Sequence, residues 1–376
     1  MTLPIRVAMV IGPAVNGGTE AFAMNYYKNI DHDKVEFDFL VENESKIICK
    51  SEIEKYGNGK IIIIPSYKNI KKYIHSLETV FLNNHYDIVH SNMNTLSYFT
   101  LKAAKRAGIE CRIAHSHSTS NPGEILRNLI KMVLKTRSKK YATHFFSCSN
   151  LAGMWLFGKK EFIQGNITVI PNAIDLEKFR FSLEKRLRIR KQFEISKREI
   201  VIGNVGRLVK QKNPFYLLDI FFEFFKEHNN SILMLVGEGP LQEKLKKRVE
   251  AMGISKKVIF AGTHDNISDY YCAFDCFVFP SIYEGLGISL VEAQASGLSC
   301  LASTYVPRET KLTNNVLFLD LSKTPKEWAN SINIISVQDR CSSKQMFVNS
   351  KFDIHCSAKM LEEKYFSILK ENSNEN

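Results

Sequence analysis

Short apolar runs rich in β-branched residues recur along this chain, and helical stretches separate most of them. The runs are 5–11, 35–41, 60–64, 86–91, 111–116, 143–148 and 167–170, and after a gap 200–206, 231–236, 257–261, 275–280, 299–303 and 316–319. Helical patterns fall at 19–30, 69–83, 94–107, 214–228, 239–252 and 288–297. Strands that alternate with helices predict parallel sheets covered on both faces, the α/β class. Thirteen strands exceed one comfortable open sheet, so two doubly wound domains are expected from the 376 residues. The seam is expected near 172–198: from Lys178 to Arg198 nine basic residues accompany two acidic ones, with no strand pattern. This predicts one Rossmann-like domain over 1–180, a second over 181–355, and a C-terminal helix in 356–376 that packs back on the first.

Composition narrows the class further. An apolar fraction of 44% with 24% charged residues is that of a soluble globular protein. No apolar run approaches the roughly 20 residues that span a bilayer. Ile5-Arg6-Val7-Ala8-Met9-Val10-Ile11 carries a charge inside its apolar run and reads as a first strand, not a signal peptide. The eight cysteines include no C-x-x-C pair, and Cys272 and Cys276 have the spacing of one helix face. They are expected to be reduced thiols of a cytosolic protein. A net charge of +12 favours an anionic partner: nucleic acid, a membrane surface or a phosphorylated substrate. With no helix-turn-helix, zinc-finger spacing or aromatic-studded basic strand, nucleic acid is not expected.

Three segments of the second half carry candidate chemistry. In Val205-Gly206-Arg207-Leu208-Val209-Lys210-Gln211-Lys212-Asn213-Pro214 a strand ends at Gly206 and Pro214 suits the first turn of a helix. Arg207 and Lys212 then project at the carboxyl edge of a parallel sheet, where two cations suit a diphosphate; the alternative is a solvated basic loop. Val236-Gly237-Glu238-Gly239-Pro240 follows the next strand, either as a close backbone approach to a ligand or as a plain tight turn. The most informative segment runs from Pro280 to Gly297. There Gly285 and Gly287 expose backbone N–H groups at a helix N-terminus, which holds anions. Glu284 precedes that helix and Glu292 lies one to two turns inside it, so the two carboxylates can accept hydrogen bonds from hydroxyls at two places on an extended ligand.

In the first half, His115 and His117 are two apart on a strand end and share a face. With no carboxylate beside them, a metal site is not expected, and strand-end packing is the alternative to a ligand contact. Asp31-His32-Asp33 follows a helix and reads as a helix-ending loop. Residues 124–140 combine seven apolar with six basic side chains, which describes either a helix lying on an anionic membrane or a core-facing helix with a solvated face.

These segments resemble a known family. Glu284 to Glu292 matches the E-x7-E signature of retaining glycosyltransferases of family 4, which have the GT-B fold. Gly17-Gly18 after the first strand, Tyr86-Asp87-Ile88-Val89-His90, Arg112-Ile113-Ala114-His115-Ser116-His117-Ser118 and Pro171-Asn172-Ala173-Ile174-Asp175 resemble other family segments, with Ala173 in place of a usual glycine. So do the Arg207/Lys212 segment and Gly237-Glu238-Gly239-Pro240. Glu-Gly-Leu-Gly…Glu-Ala-Gln-Ala-Ser-Gly-Leu is most similar to bacterial capsular and exopolysaccharide members.

The resemblance implies two Rossmann-like domains facing each other across a cleft, with the acceptor on the first and the nucleotide sugar on the second. It implies catalytic roles for Glu284, His117, Arg207 and Lys212. Donor binding falls to Gly17, Gly18, Arg207, Lys212, Glu238, Gly239, Thr263, Glu284, Gly285, Leu286, Gly287, Ile288 and Glu292. Arg207 and Lys212 would neutralise the departing diphosphate, Glu292 would bind the ribose and Glu284 the sugar hydroxyls. His117 occupies the donor-sugar histidine position, with His115 as fallback if the register slips by two.

The implied activity is metal-independent, retaining transfer of a hexose or N-acetylhexosamine without a cofactor, the donor (a UDP-sugar by family frequency) being a substrate. The implied acceptor is a polyprenyl-diphosphate-linked saccharide at the inner face of the membrane, and the implied setting a cytoplasmic protein held peripherally there. Rival readings are a UDP-sugar 2-epimerase of the same architecture and a non-catalytic, membrane-bound partner subunit of a transferase.

Overall fold

All thirteen expected strands form, and they assemble into two separate parallel sheets. The computed structural model describes residues 3–13, 17–117, 134–334, 340 and 350–375. The first sheet contains β1 (Ile5–Gly12), β2 (Val35–Val41), β3 (Ile61–Ile63), β4 (Ile88–Ser91), β5 (Cys111–Ser116), β6 (His144–Ser147) and β7 (Ile167–Val169). Its order is β3-β2-β1-β4-β5-β6-β7. The second contains β8 (Ile200–Val205), β9 (Ser231–Val236), β10 (Val258–Gly262), β11 (Cys276–Phe279), β12 (Ser299–Ser303) and β13 (Val316–Leu319), in the order β10-β9-β8-β11-β12-β13. Every pairing is parallel, so each strand is legible as a short continuous apolar run. Strand order reverses between β1 and β4 in one sheet and between β8 and β11 in the other. These switch points open crevices at the carboxyl ends of the strands.

The sheets belong to two compact units, Met1–Ile174 with Asn349–Asn376, and Asp175–Val348. Both boundaries differ from the expected 180 and 355, for local reasons. Asp175 caps the helix Leu176–Phe179, accepting from the N–H groups of Glu177 and Lys178 at 3.0 and 3.3 Å. Phe179 of that helix packs on Tyr271, which ties the segment to the second unit. At the other boundary Ile174 donates to the Phe352 carbonyl and accepts from Ile354, so the returning chain is already paired with the first unit before residue 355. The helix Ile354–Glu375 then buries Ile354, Ala358, Leu361, Tyr365 and Ile368, one stripe at helical spacing, in the core of the first unit. Each large apolar side chain so buried contributes about 2 kcal/mol.

The observed boundary falls inside the expected seam of 172–198, and the basic remainder of that stretch is a structural part of the second unit. The helix Leu183–Gln192 starts at a Ser182 cap and buries Arg186 and Arg190, one turn apart. Arg186 Nη2 donates to Asp275 Oδ1 at 2.6 Å and Arg190 Nη2 to Asp275 Oδ2 at 2.5 Å, while the Val201 N–H also reaches Oδ2 at 2.7 Å. Carbonyls of Cys272, Ala273 and Phe274 accept from Arg186 Nη1. A guanidinium is tolerated inside when its whole fork is satisfied, and charge counting does not see that.

Candidate functional site

In the second unit the candidate residues gather at the carboxyl edge of the sheet, around the switch point. Gly206 follows β8, and its N–H donates to the Val236 carbonyl at 2.9 Å, while the Leu208 N–H donates to the Glu238 carbonyl at 2.9 Å. Backbone therefore laces the β8 and β9 turns together, and the glycines are required for it. A Cβ on Gly237 (φ +126°) would lie 2.3 Å from the Gly206 carbonyl oxygen, and one on Gly239 2.5 Å from that of Leu208. Arg207 and Glu238 stand exposed on these turns, and Thr263 is exposed just past β10.

Lys212 and Glu284 meet directly, Nζ to Oε1 at 2.6 Å, with both side chains largely withdrawn from solvent. The Lys212 ammonium also lies 4.8 Å from the centre of the Phe279 ring. Gln211 Nε2 donates to the Tyr283 carbonyl at 3.0 Å, and the Ile282 N–H returns a bond to the Gln211 carbonyl at 2.8 Å. The loop after β8 and the loop after β11 are thus clamped to each other beside the ion pair.

Gly287 (φ +87°) is the N-cap of the helix Ile288–Ala295, and Gly285, Leu286 and Gly287 are buried at that N-terminus, with Ile288 half-buried as its first residue. Glu292 lies on the same helix and accepts from the Tyr271 hydroxyl at 2.6 Å. Burial pushes the Glu292 carboxyl above its ordinary range, against the pull of that hydroxyl, Lys178 and Lys212. The Tyr271 hydroxyl is pushed well up by its own burial and by the Glu292 charge.

The first unit answers with a different chemistry at the same topological place. Gly17 caps the helix Gly18–Tyr27, and its N–H donates to Glu20 Oε2 at 3.1 Å. Asn172 Nδ2 donates to the Gly18 carbonyl at 3.2 Å, so the Pro171–Asp175 segment and the glycine loop are tied together. His115 and His117 do share a face: their rings stack at 4.0 Å. His90, at the end of β4, bonds Tyr365 through Nδ1 at 2.7 Å and His115 Nδ1 through Nε2 at 2.9 Å. Burial drives His90 and His117 down to about 3 and His115 well below its ordinary value, so all three rings are neutral at pH 7.

His117 itself is held at two points. Its backbone N–H donates to Asn94 Oδ1 at 2.7 Å, and its Nε2 meets Asn92 Oδ1 at 2.7 Å. Sequence reasoning missed Asn92, Asn94, Tyr271 and Tyr365, and gave Asn172 no role. For Asn92 and Asn94 a signal existed: Ser91-Asn92-Met93-Asn94 leaves β4 exactly where the strand order reverses. Asp31-His32-Asp33 is the loop it was expected to be, with His32 on Glu36 at 3.1 Å.

Most of the amphipathic stretch 124–140 lies outside the described residues. Of its described lysines, Lys139 is paired with Glu161 at 2.8 Å, Lys135 lies over the Trp155 ring and Lys140 over Tyr141. Among the described residues no helix is long and apolar enough to cross a membrane.

Two parallel sheets of Rossmann-like order, each with its candidate residues at the switch point, are the GT-B architecture. Residues 16–178 match the family described as Glycosyltransferase Family 4, and residues 185–346 match Glycosyl transferases group 1. EpsF of Bacillus subtilis, assigned as a glycosyltransferase, is 31% identical over 87% of this chain and 86% of its own length. The chain therefore belongs to the family 4 glycosyltransferases. A second relative, the UDP-Gal:alpha-D-GlcNAc-diphosphoundecaprenol alpha-1,3-galactosyltransferase of Escherichia coli, is 30% identical over 63% of this chain and 62% of its own. Among solved structures, Anabaena HepE in complex with UDP-glucose superposes with a TM-score of 0.80 at 18% identity, covering 96% of this chain and 100% of that one. At that identity the likeness speaks for the fold.

Proposed function

We propose that this glycosyltransferase moves a hexose or N-acetylhexosamine, with retention and without a metal, from a UDP-sugar to a lipid-linked saccharide in surface polysaccharide synthesis. The observation that carries the reading is the Lys212–Glu284 pair beside the Gly285–Gly287 amides at the switch point of the second sheet. A cation, a buried carboxylate and a helix N-terminus in one place suit a ligand that joins a diphosphate to a polyol. The UDP-Gal donor and diphosphoundecaprenol acceptor in the name of the Escherichia coli relative support the substrate classes.

In this reading Arg207 and Lys212 take the diphosphate, and Lys212 exchanges its bond to Glu284 for one to phosphate. Glu284 is then freed to accept from sugar hydroxyls, and Glu292 accepts from the ribose. The bond from the anomeric carbon to the diphosphate oxygen breaks, leaving electron pair and charge on the phosphate. The amides of Gly285, Leu286 and Gly287 supply dipoles where that charge grows. The acceptor hydroxyl attacks the same sugar face and gives its proton to the leaving phosphate, so no protein nucleophile is required. The enzyme works peripherally at the inner face of the cell membrane, where a lipid-linked acceptor is found.

A thermal-shift screen against UDP, GDP, ADP and their sugars, with and without EDTA, tests the donor half. A selective, EDTA-insensitive shift by uridine nucleotides is expected. No shift by any nucleotide, from a protein that melts cooperatively, would refute it. Anomeric analysis of the product by NMR then decides retention.

A further inference from the structure

Two consecutive residues of one short turn approach Glu284. Lys210–Lys212 is a single 3-10 turn, closed by the Lys212 N–H on the Val209 carbonyl and the Asn213 N–H on that of Lys210, both at 3.0 Å. Asn213 leaves it at φ +55°, a left-handed conformation that asparagine tolerates, and the helix Pro214–Glu227 starts at once. So tight a turn sends Lys210 out to solvent while Gln211 and Lys212 both reach the loop after β11. Lys212 takes Glu284 Oε1 at 2.6 Å. Gln211 Nε2 sits 3.0 Å from the Tyr283 carbonyl and 3.5 Å from Glu284 Oε2. The first contact settles the orientation of the amide, because turning it over would set oxygen against a carbonyl oxygen. An amide nitrogen carries two hydrogens, so one serves Tyr283 and the second is left for the carboxylate.

Among the described residues these two side chains are the hydrogen-bond partners of Glu284, which is buried. A buried carboxylate needs its lone pairs met. When Lys212 moves to the diphosphate, Oε1 loses its cation, and Gln211 is the protein donor that remains. A second cation in that place would hold Glu284 against the substrate, since a hydrogen bond between ions is roughly twice as strong as a neutral one. An amide fixes the direction of the carboxylate and leaves its charge for hydroxyls.

We propose that Gln211 is a positioning residue for sugar recognition: its side-chain amide keeps the Glu284 loop and carboxylate in place while Lys212 is drawn to the diphosphate. The inference rests on the nucleotide-sugar reading above and concerns the second unit alone. It gives Gln211 to the sugar half of the donor, although Arg207 and Lys212 on the same loop serve the diphosphate half in that reading. A side chain that only stabilised the loop would affect both halves together.

Gln211→Met keeps the length of the side chain and removes both donors. Hydrogen exchange of the ligand-free full chain tests the clamp. The Ile282 amide, which donates to the Gln211 carbonyl at 2.8 Å, should exchange about 10-fold faster in the variant, the scale of one hydrogen bond lost. Gln211→Asn, whose amide is one carbon short, should behave alike. Unchanged exchange overturns the inference whether or not nucleotides bind.

Calorimetric titration with UDP, UDP-glucose and UDP-galactose tests the division between the two halves. Gln211→Met should weaken the preferred nucleotide sugar about 10-fold and leave UDP unchanged. An equal loss for UDP would make Gln211 a structural part of the loop and overturn the proposal. In a Glu284→Gln background, where the carboxylate is gone, Gln211→Met should cost nothing further; an additive loss would show that it acts elsewhere. Nucleotide sugars that bind wild type and variant alike would leave the proposed function standing and sink this role. A wild type that binds none of these nucleotides would sink both, whatever the exchange shows of the loop.

Discussion

The carboxyl edges of the two sheets share one topology and carry opposite electrostatics. At the switch point of the second sheet, Lys212 and Glu284 are a charge pair drawn out of water, with Arg207 exposed nearby and helix amides beside them. At the switch point of the first, three histidines are neutral: His90, His115 and His117 are stripped of charge by burial and held by amides and a tyrosine. The contrast shows how one strand order serves two tasks. An edge built from ions can manage a diphosphate whose charge changes during reaction. An edge built from neutral acceptors can read hydroxyl groups without competing for that charge.

Removing the charge at the ionic edge should break the comparison most. Glu284→Gln keeps the shape and removes the carboxylate, and transfer should fall about 1000-fold, roughly 4 kcal/mol, while UDP affinity changes little. Turnover with a radiolabelled donor and UDP titration measure the two effects. Full activity in this variant would remove the proposed sugar contact.

Acid should break the neutral edge next, and by a smaller amount. His90 and His117 titrate near 6.5 when unfolded and at about 3 when folded, so between these values the unfolded chain binds more protons. Their stabilisation is complete above about pH 6.5 and is lost as pH falls toward 3, about 2 kcal/mol for each ring between pH 7 and pH 5. Denaturant unfolding at pH 7 and pH 5 measures it, and His90→Gln should flatten the dependence. A slope unchanged by that variant would mean the ring is not held neutral.

Glu292 sharpens the comparison because its shift has the other sign. Its carboxyl is raised in the folded protein, so this contribution to stability is present at low pH and is lost as pH rises through the folded value. The ionised form is the better acceptor for ribose hydroxyls, so UDP affinity should weaken as pH falls. Glu292→Ala should weaken UDP about 10-fold, and Tyr271→Phe, which removes the 2.6 Å bond holding Oε2, somewhat less. Unchanged affinity in Glu292→Ala would overturn the ribose assignment.

These two edges also differ in how far the sequence discloses them. The ionic edge is local: Glu284, Gly285, Gly287 and Glu292 lie within nine consecutive residues, and the glycine turns announce themselves. The strands are equally legible, since a parallel strand buried on both faces is a short apolar run. The neutral edge is assembled from positions far apart, with Tyr365 reaching His90 across 275 residues and Asn172 reaching Gly18 across 154. No window of sequence holds those partners. Arg186 and Arg190 mislead for a related reason: their burial depends on Asp275, more than 80 residues on, so a basic run reads as a solvated seam.

The smallest expected effect concerns the membrane and the charges of the first unit. A basic residue near an anionic surface contributes about 1 kcal/mol, and less when it is already paired. Lys139 is held by Glu161, whereas Lys135 and Lys140 lie over aromatic rings and keep their charge available to headgroups. Lys135→Ala and Lys140→Ala together should therefore weaken binding to vesicles containing phosphatidylglycerol by about 10-fold, and Lys139→Ala alone by less. Salt should erase the difference, since exposed charges are screened within about 8 Å at physiological ionic strength. Equal retention of wild type and double variant at low salt would place the attachment elsewhere.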